Sequence, residues 1–127
     1  MANESILLVD DNPSNLKLVK ILLELGKYEL RTALNAEEAL KVLTTFHPKL
    51  ILMDIQLPGM DGLELTRKLR TNPNFNDVII LAITAYAMRG DEEKALAAGC
   101  DGYIPKPIDT RTLLDVIMQY LNKERTV

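Results

Sequence analysis

The chain has one cysteine, Cys100, which excludes an internal disulfide, and its place after Gly99 points to a small buried side chain rather than a reactive thiol. It also lacks any apolar run near the roughly 20 residues that a membrane-spanning helix needs; the longest, such as Val78–Ile83, fall far short. Residues Met1–Ser5 hold no basic segment leading into an apolar one, so no secretory signal is expected. A soluble, cytoplasmic protein without a membrane partner follows. Basic residues are in the minority, with 15 Lys and Arg against 18 Asp and Glu for a formal charge of −3, and they gather on no face. Direct nucleic-acid binding is therefore not expected, and partners should be proteins. The only histidine, His47, lies beside Pro48 in a predicted loop and has no expected role. There is no phosphate-binding glycine loop, no Gly-x-Ser-x-Gly elbow and no His-Glu-x-x-His pair.

What is present is ordinary globular composition, 47% hydrophobic and 26% charged over 127 residues, without a low-complexity tract or a Pro/Gly/Ser linker. A chain of this length forms one domain that buries about two-thirds of its unfolded surface. The expected organisation is a single domain over 1–127, with no output domain.

Three continuous apolar runs, Ile6–Val9, Leu50–Met53 and Val78–Ile83, fit strands covered on both faces. Tyr28–Ala33, mixed with charge, and Asp101–Ile104, closed by Pro105, fit edge strands. Helical patterns alternate with these strands. Asn12 and Pro13 open the first and Gly26 ends it; Asn35 with Glu38 caps the second. The third runs from about Asp61 to Asn72-Pro73, the fourth from about Met88 to Ala98, and Asp109 caps the fifth. Strict alternation predicts an α/β fold, a parallel five-stranded sheet between two helix layers. With the first, third and fourth strands central, the order 2-1-3-4-5 fits, the flavodoxin-like (βα)5 arrangement, whose crevice lies at the carboxyl ends of strands one and three.

That crevice collects Asp10, Asp11 and Asp54. Three carboxylates this close repel one another and raise one another's pKa, and a divalent cation is the natural means of keeping all three ionised. All candidate donors are oxygens, which favours magnesium, with manganese as second choice. Asp11 and Asp54 are expected as direct ligands, Asp10 as a ligand through water, and the Gln56 backbone carbonyl as the remaining protein donor. Asp54 has a second possible use, because a carboxylate can attack a phosphoryl group when positive charge stands near its equatorial oxygens. Magnesium and Lys106 supply such charge, the Thr84 hydroxyl can donate to a phosphoryl oxygen, and the small Ala85 leaves room.

Taken singly, Thr84 reads as a turn hydroxyl, Lys106 as a solvated lysine, Tyr103 as core packing and Asp91-Glu92-Glu93-Lys94 as a solvated helix start. As a set they say more. Asp10-Asp11, Asp54 followed by Pro58 and Gly62, Thr84-Ala85, and Tyr103 three residues before Lys106-Pro107 resemble the receiver domain of two-component response regulators, from about Ser5 to Leu121. The resemblance implies that Asp54 accepts phosphoryl from a partner's phosphohistidine, that Thr84 and Tyr103 form a conformational switch, and that Lys106 contacts the phosphoryl group. It also implies a cis Lys106-Pro107 bond, which the weak trans preference of X-Pro permits. The stretches Asp54–Pro58 and Thr84–Met88, with Gly90-Asp91, resemble single-domain receivers of cell-division or differentiation control.

The partners so implied are a sensor histidine kinase or histidine phosphotransfer protein and a downstream protein effector. Two roles stand beside each other, a free-standing regulator and a relay intermediate, with the receiver of a hybrid kinase as a further alternative; a monomer or weak dimer is expected. Gln56 and Tyr86 flank the site and are expected to tune the lifetime of the phosphoryl group. Among rival chemistries, a haloacid-dehalogenase-type phosphatase needs an acid two residues after its nucleophile, where this chain has Gln56. Flavin binding needs a phosphate-holding loop where Asp10-Asp11 would repel one. No enzymatic turnover is expected beyond magnesium-dependent phosphoryl transfer to the chain itself and autodephosphorylation.

Overall fold

The computed structural model describes residues 4–84 and 90–123. Five parallel strands, β1 (Ser5–Val9), β2 (Glu29–Ala33), β3 (Leu50–Asp54), β4 (Ile79–Thr84) and β5 (Gly102–Pro105), form one sheet in the order β2-β1-β3-β4-β5. Every residue of β3 and β4 is buried, as their unbroken apolar runs require, whereas β2 at the edge is largely exposed. The helices are α1 (Pro13–Leu25), α2 (Ala36–Val42), α3 (Gly62–Arg70), α4 (Asp91–Ala98) and α5 (Leu113–Lys123).

Alternate strand residues feed two cores. Ile6, Leu8, Leu52, Leu81 and Ile83 meet Val19 and Leu23 of α1 and Ile117 of α5. Leu7, Val9, Ile51, Met53 and Ile80 meet Ala39 of α2, Leu65 of α3 and Ala95 of α4. Each large side chain fully withdrawn from water contributes about 1.5–3 kcal/mol, and the many at 0% exposure in β1, β3 and β4 make the sheet a rigid mount for its carboxyl edge.

Local signals in the sequence set the helix starts. The Asn12 side chain accepts from the backbone N–H groups of Ser14 and Asn15, and Asp61 accepts from that of Glu64. Asn35 accepts from Glu38 N–H at 2.9 Å, while Glu38 reaches back to Leu34 N–H at 2.8 Å, one residue before the usual capping-box partner.

Two boundaries, the end of α3 and the start of α5, differ from expectation. Gly26 follows α1 as expected but keeps a right-handed φ of −78°, and the left-handed residue is Lys27, with φ 64°. Gly26 is small for another reason: a Cβ there would sit 2.9 Å from the Tyr28 ring and 3.1 Å from Leu114 of α5. Asn72-Pro73 does not simply end α3, which stops at Arg70; Asn72 instead caps a short 3-10 turn over Pro73–Phe75. Asp109 does not cap α5 directly. Its side chain accepts from Arg111 N–H and its carbonyl from Leu113 N–H, closing a turn just ahead of the helix. The described part of α4 begins at Asp91; the expected start near Met88 lies outside the described residues.

No helix among the described residues is long and apolar enough to cross a membrane.

Candidate functional site

Strand register builds the site. Val9 pairs with Met53, Asp54 with Ile83, and Thr84 with Pro105, so Asp10, Asp54, Thr84 and Lys106 leave the sheet along one edge. Asp54 closes β3 and is 1% exposed. Its Oδ1 accepts from Gln56 N–H at 2.9 Å, and its Oδ2 accepts from Lys106 Nζ at 2.9 Å. The Lys106 backbone is tied to the neighbouring strand by its N–H to the Thr84 carbonyl at 2.8 Å, and the Lys106-Pro107 bond is cis, as expected.

The turn after β3 brings α3 against the site. Gly62 N–H donates to the Ile55 carbonyl at 3.2 Å, and a Cβ at Gly62 would collide with the Asp54 carbonyl oxygen and approach Ile55 Cα to 2.8 Å. Only glycine permits this approach, which accounts physically for the spacing from Asp54 to Gly62.

Asp10 is wholly buried; its Oδ1 accepts from Asn12 N–H at 2.9 Å and its Oδ2 from the Asn15 amide at 3.3 Å. Burial pushes its pKa above the ordinary value, the Asn12 bond opposes that rise, and the Asp54 charge adds to it. Asp11 is exposed at the mouth, as is Gln56. Carboxylate oxygens of Asp10, Asp11 and Asp54 lie within 4.8 Å of one another. Among the described residues, three carboxylates against the Lys106 ammonium leave a formal excess of two negative charges in this pocket. An all-oxygen donor set with that excess suits a hard divalent ion such as magnesium, which keeps several of its waters and takes few protein ligands.

Thr84 is buried at the end of β4, but its hydroxyl is engaged elsewhere: Oγ1 donates to Asp91 Oδ2 at 2.8 Å. Asp91 is half-buried and opens α4, so it is more than the solvated helix start its neighbours in sequence imply. Tyr103 is half-buried on β5 against the core beneath α4. Hydrogen bonding to Glu92, the next residue of α4, with the negative charge of that carboxylate, raises the Tyr103 pKa. Ala85 and Tyr86 lie outside the described residues. The structure thus brings the expected Asp10, Asp11, Asp54 and Lys106 together, with Thr84 at the same sheet edge, and adds Asp91, which sequence reasoning passed over because acidic residues in a first helical turn are ordinary partners of the helix dipole.

Residues 6–118 match the family described as the response regulator receiver domain. The polar-differentiation response regulator DivK of Brucella ovis is 42% identical over 118 residues, covering 93% of this chain and 96% of that protein. A putative response regulator of Chloroflexus aurantiacus superposes with a TM-score of 0.89 at 28% identity, covering 94% of this chain and 98% of the other. The receiver domain of a sensor histidine kinase from Pseudomonas aeruginosa, with a magnesium ion coordinated in its active-site cleft, gives a TM-score of 0.87 at 33% identity, covering 95% and 99%.

Proposed function

The chain belongs to the response regulator receiver domain family, and from that premise we propose that it is a phosphorylation-controlled switch whose acceptor is Asp54. The observation that carries the reading is a buried carboxylate at the end of a central strand, with Lys106 Nζ at 2.9 Å from one oxygen and two further aspartates beside it.

An Asp54 carboxylate oxygen attacks the phosphorus of a phosphohistidine on the donor protein. The new O–P bond forms as the P–N bond breaks, and the imidazole nitrogen leaves with the electron pair and is then protonated. Lys106 holds positive charge against the transferring group; Asp10, Asp11 and the Gln56 carbonyl, with Asp54, would hold magnesium, which when bound offsets the charge of the equatorial phosphoryl oxygens. The Gln56 N–H keeps the other Asp54 oxygen in place. The side chain at position 56 supplies no acid for hydrolysis, so the chain acts as a switch and not as a phosphatase.

The signal is carried by Thr84, which turns toward the phosphoryl group, and Tyr103, which follows into the vacated space. The surface of α4, β5 and α5 then presents a changed face to an effector, by as much as the two states differ in affinity for it. Gln56 and Tyr86 set water access to the acyl phosphate, so Tyr86→Ala shortens its half-life; an unchanged half-life contradicts that role. The donor is a cytoplasmic histidine kinase or histidine phosphotransfer protein. The 42% identity to a relative named as a response regulator supports the regulator reading, with a relay intermediate and a hybrid-kinase receiver as the alternatives. Incubation with acetyl phosphate and magnesium tests the core of the reading: intact mass rises by one phosphoryl group in wild type and not in Asp54→Asn, and equal masses overturn it. Phosphotransfer profiling against the kinases and phosphotransfer proteins of the source organism then separates regulator from relay.

A further inference from the structure

We propose that Asp91 is a positioning residue that holds the switch in its unphosphorylated arrangement, by taking the Thr84 hydroxyl proton that the phosphoryl group on Asp54 must later receive. The inference rests on the phosphoacceptor reading and adds a named competitor to it.

A threonine hydroxyl has one proton to donate. Here Thr84 Oγ1 donates it to Asp91 Oδ2 at 2.8 Å, with Thr84 1% exposed and Asp91 half-buried, so water competes little for either partner. The length is that of an ordinary O–H···O bond, and a carboxylate acceptor makes it stronger than a neutral one. Thr84 therefore cannot donate to a phosphoryl oxygen and to Asp91 at once. The two acceptors lie on different elements, Asp54 at the end of β3 and Asp91 in the first turn of α4. Exchange of the proton between them thus couples the chemistry at the sheet edge to the helix that borders the proposed output surface.

The anchoring of α4 supports this. Its N-cap is Gly90, in a left-handed conformation with φ 84° and no side-chain cap hydrogen bond. Asp91 reaches Thr84 at 2.8 Å. The first residue of α4 therefore holds the proposed switch threonine. The Thr84–Asp91 bond caps no backbone N–H group of the helix, and an acidic residue is favoured at a helix N-terminus through the dipole alone.

The consequence is a penalty on phosphorylation that Asp91 sets. The probe is beryllium trifluoride, an acyl-phosphate mimic, titrated with magnesium and followed by fluorine NMR in four proteins: wild type, Asp91→Ala, Thr84→Ala and the double variant. Asp91→Ala should tighten binding by roughly five- to thirtyfold, the range of one charge-assisted hydrogen bond partly offset by water. In the Thr84→Ala background the same substitution should change binding by less than about twofold, because no hydroxyl remains to be held. Asp91→Asn, which keeps an uncharged acceptor and the helix start, should give a smaller gain of the same sign, and guards against a folding defect in the alanine variant. Equal gains in both backgrounds, no gain, or weaker binding in Asp91→Ala and Asp91→Asn would overturn the proposal while leaving the phosphoacceptor reading intact. Failure of wild type to bind the probe would overturn both.

Discussion

Lys106 Nζ and Asp54 Oδ2 lie 2.9 Å apart, the lysine side chain 22% exposed and the aspartate 2%, so one end of the pair is in a dry pocket and the other faces the crevice mouth. Under the proposed function Lys106 has two uses in turn: partner of a carboxylate before transfer, and partner of a phosphoryl group after it. Lys106→Ala leaves Asp54 buried beside Asp10 without its ion-pair partner, and is expected to lower stability by about 1–3 kcal/mol in metal-free buffer. Magnesium should restore part of that loss and stabilise this variant more than it stabilises wild type. Urea unfolding with and without magnesium checks both, and labelling by acetyl phosphate should persist in the variant more than effector binding does.

Asp10 makes stability depend on pH. Its folded pKa is raised above the ordinary 3.8, chiefly by burial, so the folded chain binds this proton more tightly than the unfolded chain. The stabilising contribution is fully present below the unfolded pKa and is lost as pH rises through the higher folded value. In metal-free buffer wild type should therefore lose stability across that window, and Asp10→Asn, which keeps an acceptor for Asn12 N–H, should show a flatter profile. Unfolding free energy measured in urea at a series of pH values with a chelator is the check; parallel profiles would contradict the assignment.

Gly62→Ala should be costly although the change is one methyl group. The added Cβ would collide with the Asp54 carbonyl oxygen and lie 2.8 Å from Ile55 Cα, both backbone atoms that move only if α3 or the end of β3 moves. A loss of about 1–3 kcal/mol is expected, with weakened magnesium binding because Asp54 shifts too. Thermal unfolding and a magnesium titration measure the two effects.

Arg70 joins three segments away from the site. Its guanidinium donates to the Gly99 carbonyl at 2.9 Å, the Phe75 carbonyl at 2.8 Å and Asp101 Oδ2 at 3.0 Å, and Asp101 also accepts from Ile80 N–H. Arg70→Ala removes all three and leaves a half-buried carboxylate without this partner, a loss of about 2–4 kcal/mol. Arg70→Lys should recover less than half, because an ammonium cannot reproduce the fork that spans two carbonyls and a carboxylate. Phosphoryl labelling of Asp54 should be unaffected in the lysine variant, which separates this clamp from the functional site.

The sheet order was legible because burial on both faces leaves unbroken runs such as Leu50–Met53, while exposure leaves mixed ones such as Glu29–Ala33. The cluster of Asp10, Asp11, Asp54 and Lys106 was legible for the same reason: a parallel sheet puts all strand ends on one edge, so residues distant in sequence become neighbours once the order is known. Helix ends were less so. Lys27 rather than Gly26 takes the left-handed conformation, and Gly26 answers to the Tyr28 ring and Leu114, contacts that no local pattern encodes. Asp91 was hidden by its ordinary place in an acidic first turn; only the approach of α4 to the end of β4 distinguishes it from Glu93, which is exposed.

The most direct test of the central claim uses phosphoramidate, a small donor whose P–N bond is that of phosphohistidine, with intact mass measured against time. Wild type with magnesium should gain one phosphoryl group, lose it again in alkali, and gain none when magnesium is chelated, while Asp54→Asn should gain none under any of these conditions. Equal gain in Asp54→Asn, or no gain in wild type with magnesium present, would contradict the assignment of Asp54 as the phosphoacceptor.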